Sequence, residues 1–294
     1  MSDLAKATVQ AIIERAEQGS TAAETFVGED GLRRCAKCRQ PVEAVIKSMG
    51  GQIRSIPCAC VRNRDEAERQ EREHRERVDA ARRKATSSPF YDPSYERYTF
   101  AADQHRDEDG FREAGDKCRS FVEHFDELKA LPAGMLLTGP VGTGKSFYAS
   151  ATVNALREQG VSAMIVSTSR LLNVIRSNGN RQTIIDDLNS FDLVALDDLG
   201  AERDTDYAIE QLEAFVDARV LAEKPLIITT NLTPNDIRRP SDMRYVRLFD
   251  RINSMCPIIV PLVQASLREA QARDRGLKAK AIMNQAGPGR GAGR

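Results

Sequence analysis

One octapeptide limits the fold more than anything else in the 294 residues: Gly139-Pro140-Val141-Gly142-Thr143-Gly144-Lys145-Ser146. It fits the pattern G-x-x-x-x-G-K-[ST], with a short apolar run (Met135, Leu136, Leu137) entering and a helical segment, 146–158, leaving. The spacing is chemically specific. Glycines let successive backbone N–H groups turn inward on phosphate oxygens, and the new helix N-terminus adds partial positive charge. Lys145 supplies a point charge for β- and γ-phosphates, and the Ser146 hydroxyl is placed to complete a Mg2+ shell. Around this loop the chain alternates between short apolar runs (135–138, 162–166, 193–196, 226–230 and 258–260) and helical segments. That alternation predicts an α/β fold with a five-stranded parallel sheet covered on both faces.

A nucleotide site of this kind needs an acidic residue at the end of a neighbouring buried strand. Phe191-Asp192-Leu193-Val194-Ala195-Leu196-Asp197-Asp198 supplies it. Asp197 is expected to hold Mg2+ through its water shell, and Asp198 to polarise the attacking water. An aspartate at the second position is one methylene shorter than the glutamate more often found there, so slow turnover is expected. A third buried strand, Leu226-Ile227-Ile228-Thr229-Thr230, ends in Asn231, whose amide can reach the γ-phosphate or the water.

The first part of the chain is different in character. Residues 3–17 carry Leu4, Val9, Ile12, Ile13 and Ala16 at helical spacing. Cys35-Ala36-Lys37-Cys38 and Cys58-Ala59-Cys60 then flank two short segments, 42–47 and 52–56, joined through Met49-Gly50-Gly51, which reads as a β-hairpin. About 30 residues bury too little apolar surface to fold alone, whereas four thiolates on Zn2+ supply roughly 10–16 kcal/mol of apparent binding. Cys35, Cys38, Cys58 and Cys60 are therefore expected to hold zinc. A mixed-charge stretch, 62–84, follows with Asp65/Arg69, Glu68/Arg72, Glu71/Arg75 and Glu73/Arg77 at i,i+4; it reads as a solvated helical spacer. Next, Phe90, Tyr91, Tyr95, Tyr98 and Phe100 crowd together. An amphipathic helix then places Phe111, Ala114, Cys118, Phe121, Val122 and Phe125 on one face. The expected divisions are 1–30 (helix and linker), 31–63 (zinc module), 64–88 (charged linker), 89–275 (ATPase domain) and 276–294 (a disordered Gly/Arg-rich tail). The 43 basic and 43 acidic side chains balance, which excludes a globally basic nucleic-acid binder but not a local basic patch. No apolar run approaches the roughly 20 residues of a membrane span, and the paired cysteines suit a reducing cytoplasm.

Taken together, Gly139–Ser146, the run Asp197-Asp198-Leu199-Gly200-Ala201-Glu202, Thr229-Thr230-Asn231-Leu232 and Arg247-Leu248-Phe249-Asp250-Arg251-Ile252 resemble the DnaC/DnaI type of replicative helicase loader. These loaders are AAA+ ATPases, and the sequence is also similar to the IstB type of transposition helper. The resemblance covers roughly residues 89–273. It implies that Asn231 acts as a first sensor and that Arg251 is an arginine finger reaching the ATP site of the next subunit, with Arg247 as its companion. It also implies that Arg268 is a second sensor acting in cis, with too little chain left for a large helical lid. Single-stranded DNA is implied to run along residues 167–189, placing Ser169, Arg170, Arg176 and Arg181 on its path. The implied activity is ATP hydrolysis, slow and stimulated by single-stranded DNA, with ATP, Mg2+ and Zn2+ as cofactors. The implied partners are a DnaB-type helicase, single-stranded DNA and further copies of this chain, with no membrane. IstB-type relatives usually lack an N-terminal zinc module, so the cysteines favour the loader, and the transposition helper stands as the alternative.

Overall fold

The computed structural model describes residues 24–46, 50–178, 180–200 and 205–285; the helix expected over residues 3–17 lies outside them. The chain divides into two compact units, 1–75 and 76–294.

In the first unit, β1 (Thr25–Val27) pairs antiparallel with β2 (Arg33–Cys35), and β3 (Glu43–Ile46) with β4 (Gln52–Ser55). The second pair is the hairpin expected over 42–47 and 52–56. Its turn uses Gly50 and Gly51 at φ 70° and 80°, where side-chain-bearing residues are strained. Strand β1 lies within the segment expected to be helix and linker, so the module begins before residue 31. Three exposed residues, Thr-Phe-Val, have no alternation to betray a strand. Helix α1 (Ala59–Ser87) realises the charged stretch, and the division between units falls inside it. Its ion pairs differ from those expected. Arg64 meets Glu68, and Arg69 is shared between Glu66 and Glu73. Each exposed arginine has several carboxylates within a turn, at a few tenths of a kcal/mol apiece, so spacing alone does not select the pair.

The second unit is built on a sheet of five parallel strands: β5 (Met135–Thr138), β6 (Ala163–Ser167), β7 (Leu193–Leu199), β8 (Leu226–Thr230) and β9 (Ile258–Pro261). Their spatial order is β6-β7-β8-β5-β9, with the strand that feeds the phosphate loop between β8 and β9. Side chains alternate across the sheet. Leu136, Met164, Val194, Leu196 and Ile228 enter one core, and Met135, Leu137, Ile165, Ala195 and Ile227 the other. The first core is closed by α5 (Thr168–Asn178), α6 (Arg181–Ser190), α7 (Asp206–Leu221) and α9 (Val246–Met255). The short α8 (Pro234–Arg238) adds Ile237. The second core is closed by α2 (Phe111–Glu123), α3 (Phe125–Ala130) and α4 (Lys145–Glu158). The apolar stripe from Phe111 to Phe125 is buried in it, Cys118 included, although the helix breaks at His124.

The aromatic-rich segment folds as a strap over this unit. Phe90 is fully buried in the first core, and Tyr95 and Phe100 pack on the second. Helix α10 (Leu267–Gln285) runs ten residues into the segment 276–294 that was expected to be disordered. Half of those ten positions are Leu, Lys or Ala, which favour helix without burial. Among the described residues no helix is long and apolar enough to cross a membrane.

Candidate functional site

The phosphate loop lies between β5 and α4. Gly142 and Gly144 adopt φ 83° and 93°, the left-handed region that glycine enters without penalty. A side chain at Gly139 would collide with the carbonyl oxygen of Leu262, and one at Gly142 with the Ser266 hydroxyl. The loop is thus cradled from behind by the segment that follows β9. Leu262 N–H donates to the Thr138 carbonyl and Leu267 N–H to that of Gly142. Lys145 is only 6% exposed, and its ammonium donates to the carbonyls of Gly139 (2.7 Å) and Pro140 (2.7 Å) and to Asn231 Oδ1 (2.8 Å). Burial lowers its pKa, while the charges of Asp198 and Asp197 act in the opposite sense. A glycine cradle that admits no Cβ, a buried ammonium at its centre and the hydroxyl of Ser146 beside it suit the phosphates of a nucleotide with Mg2+.

Asp197 and Asp198 sit where the pairing of β7 with β8 shifts register, between Leu196 and Leu199. Asp197 is 5% exposed; Asp198 is exposed and takes φ 64°. Hydroxyls from β8 stitch this irregularity. Thr229 Oγ1 donates to Asp197 Oδ1 (2.6 Å) and accepts from the Asp198 N–H (2.8 Å), and Thr230 Oγ1 donates to the Leu199 carbonyl (2.8 Å). The other carboxylate oxygen, Asp197 Oδ2, accepts from the Tyr95 phenol at 3.1 Å. Burial beside Asp197 raises the Tyr95 pKa. Neither Thr229 nor Tyr95 was singled out as a site residue from the sequence. Thr229 sits within a strand pattern that accounts for it as core, and Tyr95 reaches the site from far upstream.

The structure brings Lys145, Asn231, Asp197 and Asp198 together at one end of the sheet. Arg268 joins them from the start of α10, its Cβ lying against the position a Gly142 side chain would take, and its charge acts on Lys145. Arg251 and Arg247 stand apart on α9. Arg251 Nε pairs with Asp217 of α7 at 3.1 Å, with both side chains substantially exposed. Such surface pairs are worth about 0–1 kcal/mol, so the guanidinium is held only lightly. The proposed DNA residues do not form one open strip. Arg170 donates to the Pro89 carbonyl (2.8 Å), Arg176 lies over the Tyr207 ring, and Arg181 pairs with Glu210 (3.1 Å). Ser169 contacts the Ser167 hydroxyl.

In the first unit the four thiols converge. The sulfurs of Cys35, Cys38, Cys58 and Cys60 all lie within 4.8 Å of one another. A tetrahedral Zn–S shell at ~2.3 Å places sulfurs roughly 3.8 Å apart, so the cluster fits that ion. Cys35 and Cys58 are buried. The Gln40 backbone N–H holds the Cys38 thiol down at about 6, and the neighbouring Cys38 pushes Cys60 up to about 11. The other cysteines, Cys118 and Cys256, lie in the cores, where burial pushes both thiols up.

Parallel sheet, glycine cradle, buried lysine and strand-end aspartates define a P-loop ATP-binding protein of the AAA+ class. Residues 60–273 match the family described as IstB-like ATP binding protein, and the chain belongs to that family. It is 26% identical over 149 residues to the replicative helicase loader DnaC of Escherichia coli (strain K12), covering 49% of this chain and 58% of that protein. It is 33% identical over 117 residues to the putative ATP-binding protein Rv3427c in an insertion sequence of Mycobacterium tuberculosis, covering 37% and 45%. The chain therefore spans about half the length of the curated relatives it matches. Among solved structures it resembles a putative primosome component from Streptococcus pyogenes serotype M3, at TM-score 0.50 and 25% identity, over 61% of this chain and 92% of that one.

Proposed function

We propose that this protein is an ATP-dependent loader of a DnaB-type replicative helicase onto single-stranded DNA, working in the cytoplasm. The observation that carries the reading over its rival is the four-cysteine cluster ahead of an ATPase domain whose relatives include DnaC. The first unit, holding one Zn2+ on Cys35, Cys38, Cys58 and Cys60, grips the helicase. The ATPase domains associate side by side, so that Arg251 exchanges Asp217 for the γ-phosphate charge of the neighbouring subunit, with Arg247 a turn away. Lys145, Ser146 and the rest of the loop clamp ATP. Asp197 holds the Mg2+ water shell, which when present draws charge from the phosphates; Asp198 orients the water and Asn231 contacts the γ-phosphate. Arg268 acts from within the same subunit. Single-stranded DNA passes over α5 and α6, where Ser169, Arg170, Arg176 and Arg181 leave their present partners for phosphates, and stimulates an otherwise slow hydrolysis. The likeness to a protein encoded in an insertion sequence supports the second reading, a helper ATPase of transposition.

The test is native mass spectrometry of the full chain mixed with the replicative helicase of its own host and ATP. A defined complex that Cys58→Ser abolishes supports the loader and the grip in the first unit. Absence of any complex at micromolar concentration, with hydrolysis still stimulated by single-stranded DNA, points to the transposition helper.

A further inference from the structure

The strap that crosses the second unit ends on the ATP site. Within it Asp92 caps a single helical turn (Pro93–Tyr95), its Oδ1 accepting from the Ser94 N–H at 2.9 Å. Asn154 of α4 donates from Nδ2 to the carbonyls of Tyr95 (2.9 Å) and Tyr98 (2.9 Å). The Tyr98 ring meets Phe147 of the same helix edge-on, with centroids 5.7 Å apart. Because α4 begins with Lys145 and Ser146, these contacts fix the Tyr95 phenol relative to the phosphate loop itself. The phenol is then spent on one acceptor, Asp197 Oδ2, while Thr229 holds Oδ1. A carboxylate tied at both oxygens cannot turn about its Cβ–Cγ bond, and its remaining lone pairs point in set directions.

We infer that Tyr95 is a positioning residue for Asp197: its O–H fixes the carboxylate plane and so sets the metal requirement of the site. This rests on the reading of Asp197 as the residue that holds the Mg2+ water shell. With the phenol gone, Thr229 alone leaves the carboxylate free to swing, and the fixed direction is lost. Removing a donor also leaves the carboxylate's negative charge less shared, which by itself would tighten metal binding. The sign of the change therefore separates positioning from simple charge.

Tyr95→Phe removes one oxygen and keeps the ring that packs on the core. Mn2+ is titrated into the complex of the full chain with ADP and followed by electron paramagnetic resonance, beside the Mg2+ dependence of ATP hydrolysis. The expected result is a Mn2+ dissociation constant and a half-saturating Mg2+ each raised at least threefold, with ADP affinity in EDTA unchanged. A hydrogen bond to a charged group is strong enough for a shift of that size. An unchanged or lowered metal requirement in a protein that binds ADP overturns the role of Tyr95 alone. An unmutated chain that binds no ADP overturns the nucleotide reading, and this inference falls with it.

Discussion

Replacing Thr229 by valine keeps the shape of the side chain and removes one hydroxyl, which here serves two masters. Its donation to Asp197 Oδ1 at 2.6 Å is a charge-assisted bond in a buried setting, worth about 1.5–3 kcal/mol net. Its acceptance from the Asp198 N–H at 2.8 Å satisfies a donor that the register shift leaves without a strand partner. Leaving such a donor unpaired costs about 1–3 kcal/mol, and the lower half applies because Asp198 reaches solvent. The two together predict a loss of about 2.5–5 kcal/mol. For a unit of this size each kcal/mol moves the melting point by about 2–4 °C, so Thr229→Val melts about 5–20 °C lower in a thermal scan. Thr229→Ser is the control, since it keeps the hydroxyl and gives up one methyl, about 0.8 kcal/mol of burial. If valine melts within 1 °C of the unmutated protein while serine is the worse of the two, the hydroxyl is not what holds the two aspartates in place.

Three further predictions concern other parts of the molecule. Lys145→Ala and Arg251→Ala each lose stimulated ATP turnover, but Arg251→Ala keeps nucleotide affinity, and mixing the two restores part of the activity because one subunit lends what the other lacks; a colorimetric phosphate assay reads all three, and full turnover by Arg251→Ala alone discards the finger. Elemental analysis of the purified chain gives one zinc per protein, and Cys58→Ser lowers it at least tenfold; equal zinc in both refutes the cluster. Burial alone would raise the pKa of Asp192, but hydrogen bonds from Lys129 (2.7 Å) and Ser162 (2.6 Å) hold it below its ordinary 3.8. Its contribution to stability is therefore whole above pH 3.8 and lost as pH falls through the lower folded value. Asp192→Asn flattens that acid limb of the urea-midpoint profile, and an unchanged limb shows the pair to be inert.

The parts of this fold that the sequence makes legible are those written in short runs. The phosphate loop, all five parallel strands and the stripe from Phe111 to Phe125 depend on residues within a dozen positions of one another, and each lies close to where the pattern puts it. Asp197 was legible because a carboxylate is costly to bury, so an apolar run that ends in two of them marks a place where charge is needed. What escaped depends on residues far apart. Tyr95 meets Asp197 across 102 residues of chain, and Thr229 meets it across 32, and neither spacing leaves a periodic trace. The five aromatics were visible as a cluster, but only the sheet beneath them shows that Phe90 goes to one core and Tyr95 to the other. Arg251 meets Asp217 of α7 across 34 residues, another pairing that no spacing announces. Strand β1 and the last turns of α10 are exposed elements held by pairing and propensity, where burial patterns say nothing.

The seat of the phosphate loop has a consequence for when the protein becomes competent during its synthesis. Gly139 and Gly142 rest against Leu262 and Ser266, the end of β5 is tied to Leu262 and the loop itself to Leu267. The octapeptide therefore leaves the ribosome long before the wall behind it. Until β9 has emerged and added itself beside β5, the nascent chain carries the phosphate-binding sequence without its cradle, and contacts so distant along the chain are the last to close. A fragment released before the start of α10 presents the motif without the segment that seats it.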